Sequence, residues 1–229
     1  MNLDHLTLAK GAHTARDQGV CAMEAVAWLA GEPHSDRPAC TCPVIGTFVR
    51  RWNDDLRDAD RNRLLLPLLP SLVGTRGSAE LERRRSFRIL DWMIRTYTPA
   101  WLDLIPSLTE HAAALRGLAP TVDPASAQAA RDPVDAARAA AWAAARAAAR
   151  GAAWDARAAA RAAAWAAARA AAWAAAWAAA RAAARAAAGA AAVDAAGAAA
   201  VDALAPTVAR LQASAAELVA ELCAMKESA

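Results

Sequence analysis

Four side chains in the first half of the chain have the chemistry of metal ligands. Cys21, His34, Cys40 and Cys42 supply the thiolate and imidazole donors that zinc takes in a tetrahedron. Their spacing argues against such a site, because zinc knuckles leave two to four residues between paired cysteines, whereas only Thr41 separates Cys40 from Cys42. Cys21 falls within an apolar run, where a free cysteine is commonly a small buried hydrophobe. His34, in HSDRP, has the side chain of a general base with Asp36 close by, but a single loop histidine is thin ground for catalysis. Glu24 is the only charge in the run 20–30. A buried carboxylate there needs a cationic partner, for which Arg50, Arg51 and Arg95 are the candidates, or its pKa rises. Asp91 lies inside ILDWMI and can pair with Arg95 one helical turn on. Glu24 and Asp91 both read as structural charges. The chain has no phosphate-binding glycine loop, no G-x-S-x-G and no H-E-x-x-H. The sequence therefore marks no catalytic residue, calls for no cofactor and points away from an enzyme.

A second set of side chains could meet nucleic acid. In the C-terminal half, non-alanine residues recur every four positions: Arg161, Trp165, Arg169, Trp173, Trp177, Arg181 and Arg185, with Arg146 and Arg150 in an upstream set one residue out of phase. Arginine neutralises phosphate and tryptophan stacks on bases. Against that reading, the stretch 133–205 has no lysine and carries Asp135, Asp155, Asp194 and Asp202. Each four-residue step advances a helix by 400°, so the large side chain rotates about 40° per repeat. No face stays basic or aromatic, which excludes a heptad seam and a fixed membrane-facing stripe. Arg, Trp and Gly codons can differ by one first-position base, so the pattern resembles expansion of a four-codon unit followed by point changes. A spacer or alanine-lined packing helix is the preferred reading, and nucleic-acid binding the alternative.

These residues need elements to hold them. The chain has 229 residues and 57% of them are apolar, but much of that fraction is alanine, which buries little area. Larger apolar side chains concentrate before Leu118. The run from Gly19 to Gly31 predicts a buried helix, and Pro33, Pro38 and Pro43 bound a loop. The stretch 43–56 places Val44, Phe48 and Trp52 on one helical face. A further helix over 60–73 is interrupted by Pro67 and Pro70. Ser78 caps another that runs to Tyr97, and Thr98-Pro99 starts the next. No segment alternates with the period of a strand. From Pro133 to Pro206 there is no proline, and alanine has the highest helix propensity of any residue. Unbroken, that stretch would form a helix roughly 110 Å long, with Gly151, Gly189 and Gly197 as its weak points. The pentapeptide LAPTV occurs at 118–122 and again at 204–208, each copy expected to end one helical segment and start another.

The expected architecture is all-α: a flexible lead-in over 1–18, a compact multi-helix domain over 19–118, an alanine-rich helix or helical hairpin over 119–205, and an amphipathic helix over 206–229. In that last helix Val208, Leu211, Ala215, Leu218, Leu222 and Met225 form a short seam. It can pack within the chain, the preferred reading, or join a protein partner or a second copy. Net charge is +3, which neither demands nor excludes an anionic partner. The first twenty residues are mixed and polar, unlike a secretory signal. The uncharged piece 170–180 is far shorter than the ~20 residues of a membrane span. A cytoplasmic location with reduced cysteines is expected.

The runs CAMEAVAWLAGEPHSDRPACTCPVIGTFVRRWNDDL, LVGTRGS and DWMIRTYTPAWL resemble a family of uncharacterised proteins of actinobacteria and their phages, with a helical front end and an alanine-rich tail studded with Trp, Arg and Asp. The block from Glu24 to Asp36 is the most specific part. The resemblance implies these domain limits and a cytoplasmic, phage-related setting, and it brings no catalytic residue.

Overall fold

Prolines and caps set the helix boundaries. Pro43 and Pro124 each stand in the first turn of a helix, where their missing N–H costs nothing. Ser78 accepts the N–H of Leu81, and Asp123 that of Ser126. The computed structural model describes residues 6–171 and 202–227, with side chains of 152–171 outside the described set. Among these residues there are only helices and loops: α1 (Ala22–Leu29), α2 (Pro43–Asp55), α3 (Asp58–Leu65), α4 (Leu69–Leu72), α5 (Ala79–Trp92), α6 (Thr98–Leu102), α7 (Thr109–Arg116), α8 (Pro124–Ala129), α9 (Arg131–Ala171) and α10 (202–224). Pro67 and Pro70 divide the predicted 60–73 helix into α3, a 3-10 turn and α4.

Between α5 and α6 the helix does not stop at Tyr97 as expected. It continues through a π turn, Met93–Tyr97, into α6. Pro99 has no N–H to give to the carbonyl four residues back, and its ring crowds that position. Widening the turn changes the hydrogen-bond register and lets the chain pass through without a break.

The main core gathers Met23 and Val26 of α1, Ile45 and Val49 of α2, Leu65, Leu69 and Leu72 of α3 and α4, and Trp92 of α5. Two further contributions change the expected domain limits. Leu8 belongs to this core, and so do Ala215, Leu218, Val219 and Leu222 of α10. The segment 6–18, read from sequence as a flexible lead-in, is stitched down by polar side chains. Asn62 accepts the N–H of Leu8, Asp54 that of Gly11 and Glu24 that of His13. Gly19 closes this segment at φ 132, where a Cβ would strike the His13 ring at 2.6 Å. The seam of α10 is thus covered by the front body of its own chain.

A second core joins Ile94, Leu102, Leu108, Ala112 and Leu115 to Ala130 and Ala137, with Val134, Ala140, Ala141 and Ala144 packed on it. The first turns of α9 therefore lie on α7 and on the turn Pro106–Leu108 before it, and alanine lets them approach closely. Both ends of the alanine-rich stretch sit on one body. The rest of the predicted long helix or hairpin, and Gly189 and Gly197, lie outside the described residues. The first LAPTV copy is a loop between α7 and α8, as expected. The second lies inside α10, whose helix runs on through it.

α10 is locked by a buried cation. Arg85 is 2% exposed, and its guanidinium donates to the carbonyls of Leu222 at 3.0 Å, Met225 at 3.1 Å and Thr75 at 2.6 Å. The last carbonyls of a helix have no partner within it, and a cation there also meets the negative end of the helix dipole. Outside this lock, Arg88 holds Glu221 with two bonds of 2.8 and 2.7 Å, and Trp92 donates to Ser214 at 2.8 Å. Replacing Arg85 by Met should cost about 3 kcal/mol, because three buried carbonyls lose their donor. Arg88→Ala, at a half-exposed pair, should cost less than about 1 kcal/mol. Urea midpoints at unchanged slope measure both.

Candidate functional site

The residues predicted from sequence scatter. Cys21 is the N-cap of α1 and Cys42 that of α2, both buried. Burial first of all pushes the Cys21 thiol up to about 12. Cys40 gives its N–H to Glu32, and Cys42 gives its own to Thr75. All four cysteines are free thiols. Among the described residues no group of three or more His, Cys, Asp or Glu is placed to hold a metal ion. Asp36 turns to Arg50 rather than to His34.

Glu24 does not meet an arginine. Its carboxylate accepts the backbone N–H of His13 at 2.6 Å and of Cys21 at 2.8 Å, and the His13 ring Nδ1 at 2.9 Å. Nδ1 of His13 therefore carries the proton. His34 Nε2 lies 3.0 Å from the His13 carbonyl and 3.8 Å from Glu24, so it too is the protonated nitrogen, and Nδ1 is buried without a partner among the described residues. The most specific block of the sequence thus ties the lead-in to α1. A second acid of that block, Glu32, accepts the N–H groups of Ala39 and Cys40. Asp91 pairs with Arg95 at 3.4 Å, as the spacing predicts, and also accepts the Thr121 N–H at 2.9 Å.

Arg146 and Arg150 stand exposed on α9, as does Trp142 at 63%. Arg161, Trp165 and Arg169 fall within α9, but their side chains are outside the described residues, as are Trp173, Trp177, Arg181 and Arg185 altogether.

The structure assembles a different site. Phe48, Trp52, Trp92, Tyr97 and Trp101 form a continuous aromatic row, with successive ring centroids 6.2, 5.9, 5.4 and 6.2 Å apart in the order Trp52, Phe48, Trp92, Tyr97, Trp101. They wall a groove of about 430 Å³, closed on its far side by Val208, Leu211 and Ala215 of α10. Arg51 and Asp55, paired at 3.0 Å, lie at its polar rim with Gln212. Met93 is 45% exposed at the groove. Trp101 keeps its indole N–H buried with no acceptor among the described residues. Sequence reasoning found Phe48 and Trp52 as one face but not the rest. Tyr97 is five residues beyond Trp92, which in an α-helix would point it about 140° away. The π turn brings the two rings together.

Comparison of the chain with protein-family models, with curated proteins and with solved structures returned no match. No helix among the described residues is long and apolar enough to cross a membrane.

Burial alone would push the Glu24 carboxyl up, but the bonds from the His13 and Cys21 N–H groups and the His13 ring outweigh it and hold it below its ordinary 4.5. The folded state then releases this proton more readily than the unfolded chain. The stability Glu24 contributes is complete above that ordinary value and is lost as the pH falls below it. Glu24→Gln, with one acceptor oxygen for three donors, should cost about 2 kcal/mol near neutrality. The gap to the wild type should narrow as the pH is lowered, in denaturation midpoints taken from roughly pH 7 to pH 3.

Proposed function

We propose that the protein is a non-enzymatic interaction protein whose aromatic groove receives a bulky apolar side chain of a protein partner. The groove itself carries this reading. Five aromatic rings on α2, α5, the π turn and α6 converge on one concavity beside an exposed methionine, and the rim is polar. Binding hot spots are built this way, with aromatic anchors in a desolvated centre and charges around it. The alanine-rich stretch then serves as a spacer or packing surface rooted in the same body. The resemblance to actinobacterial and actinophage proteins agrees with a cytoplasmic, phage-related setting for such a scaffold.

The exposure of Trp142, Arg146 and Arg150 at four-residue spacing supports a second reading, in which α9 binds nucleic acid through phosphate neutralisation and stacking.

Selection of a random peptide library on the immobilised full chain should enrich peptides with a shared aromatic or large aliphatic anchor. Met93→Glu should weaken those peptides at least about tenfold, whereas the triple change Trp142→Ala, Arg146→Ala, Arg150→Ala should leave them unaffected. Enrichment indifferent to Met93→Glu overturns the groove. Fluorescence anisotropy with labelled single-stranded DNA, duplex DNA and RNA at roughly 50 and 200 mM salt tests the second reading. Tight, salt-sensitive binding lost in the triple variant would put it first.

A further inference from the structure

On the other side of α5 from the aromatic groove lies an arginine-lined pocket of about 370 Å³, where Arg84, Arg88 and Arg95 stand with Asp91, Thr121 and Met225. Its charges are balanced. Arg88 meets Glu221 at 2.7 Å and Asp91 at 3.7 Å, Arg95 meets Asp91 at 3.4 Å, and Glu227 lies beside Arg84. The Thr121 N–H holds Asp91 at 2.9 Å. That pocket is a knot of internal contacts and singles out no ligand. The aromatic groove differs, because two of its donors are unspent.

The rings of the groove do not make one flat platform. Phe48 and Trp92 are turned 85° to each other and Tyr97 and Trp101 67°, and the other two steps are tilted by 49° and 41°. Rings set edge to face present ridges with notches between them. A flat ligand such as a nucleobase stacks on an open ring face, and here the edges of neighbouring rings interrupt those faces. The walls are helices, which spend their backbone groups internally, and among the described residues there is no strand edge to pair with an extended chain. Two side-chain donors are left. The indole N–H of the half-buried Trp52 and the hydroxyl of Tyr97, a residue 37% exposed, have no hydrogen-bond partner among the described residues, and neither is one of the sealed polar atoms. The charged residues of the lining, Arg51 and Asp55, close on each other at 3.0 Å, so the rim carries no net charge.

A ligand that matches this groove is ridged, brings backbone acceptors without matching donors, needs no strand edge and is uncharged where it meets the rim. A polyproline II segment has all four properties. It turns once every three residues, makes no internal hydrogen bonds and keeps its carbonyls free, and proline has no N–H to leave unpaired. Its stiffness also lowers the ordering cost of binding. We infer that the partner presents its apolar anchor on an uncharged, proline-rich segment in the polyproline II conformation. Pyrrolidine rings seat in the notches at Phe48–Trp92 and Tyr97–Trp101, and Trp52 and Tyr97 donate to backbone carbonyls of the segment. An amphipathic helix is the other way to bring an anchor to an apolar groove. It spends its carbonyls internally and would cover both donors without pairing them. This inference rests on the groove being the docking site of the protein.

Calorimetric titration of the full chain tests this with short peptides that carry one central leucine in a host of proline, of alanine, or of alternating glycine and serine. The proline-host peptide should bind saturably, and the other two at least about tenfold more weakly. Tyr97→Phe removes only the hydroxyl. It should weaken the proline-host peptide about fivefold while the unliganded melting temperature stays level, because the hydroxyl has no partner in the free fold. Trp52→Phe removes the N–H with part of the ring and should weaken binding by at least as much. An alanine-host peptide that binds as tightly as the proline host overturns the proline-rich partner and leaves the groove standing. So does enrichment, from the random library, of proline-free peptides that lose affinity in Met93→Glu. Wild-type affinity of the proline host in both Tyr97→Phe and Trp52→Phe overturns it too. If no peptide binds and the library yields none sensitive to Met93→Glu, the groove itself falls and this inference with it.

Discussion

The guanidinium of Arg85 sits where the first and last parts of the chain meet. It is buried, it satisfies the carbonyls of Leu222 and Met225 at the end of α10, and it reaches the Thr75 carbonyl in the loop before α5. Without it the end of α10 would be buried with its carbonyls unpaired, and the apolar face of α10 could not lie flat on the core. The main core, the far wall of the aromatic groove and the Met225 side of the arginine-lined pocket all depend on α10 staying there. A cation is the right group for that place. It donates in several directions at once and meets the negative end of the helix.

α5 then organises the two concavities. Arg85 faces the core, Trp92 faces the groove, and Arg84, Arg88 and Asp91 face the arginine-lined pocket. The π turn that follows has two effects. It carries the chain past Pro99 without a break, and it rotates Tyr97 and Trp101 onto the side of Trp92. A single irregular turn thus converts a dispersed set of aromatic residues into a continuous wall. The two LAPTV copies end up on different pockets, Thr121 on one and Val208 on the other.

Much of the helical framework was legible because proline, caps and apolar spacing act locally. Pro43 and Ser78 start the helices they were expected to start, and the Asp91–Arg95 spacing becomes a pair. The apolar seam of α10 was legible as a seam, but periodicity carries no record of the surface it will meet. Its union with the front body rests on contacts across more than a hundred residues, such as Arg85 with Leu222. The partner of Glu24 was missed for a similar reason. The lone charge in an apolar run announced a need, yet the need was met by backbone N–H groups and by His13, in a segment with no periodic pattern of its own. The groove escaped because helical-wheel reasoning assumes 100° per residue, and the π turn breaks that assumption between Trp92 and Tyr97.

The separation between Arg85 and its acceptor on Leu222 is 137 residues. On a ribosome adding about 5–20 residues per second, α5 would wait on the order of ten seconds for the helix that completes it. Through that interval the nascent front body has Ile45, Leu65 and Leu72 without their α10 neighbours, and a guanidinium in a half-built apolar site. Local helices with short-range contacts form far faster than this. Closure of the core is therefore a late event of high contact order, and a polypeptide stalled or cleaved within the alanine-rich stretch would carry an open hydrophobic face to the cell's chaperones and proteases.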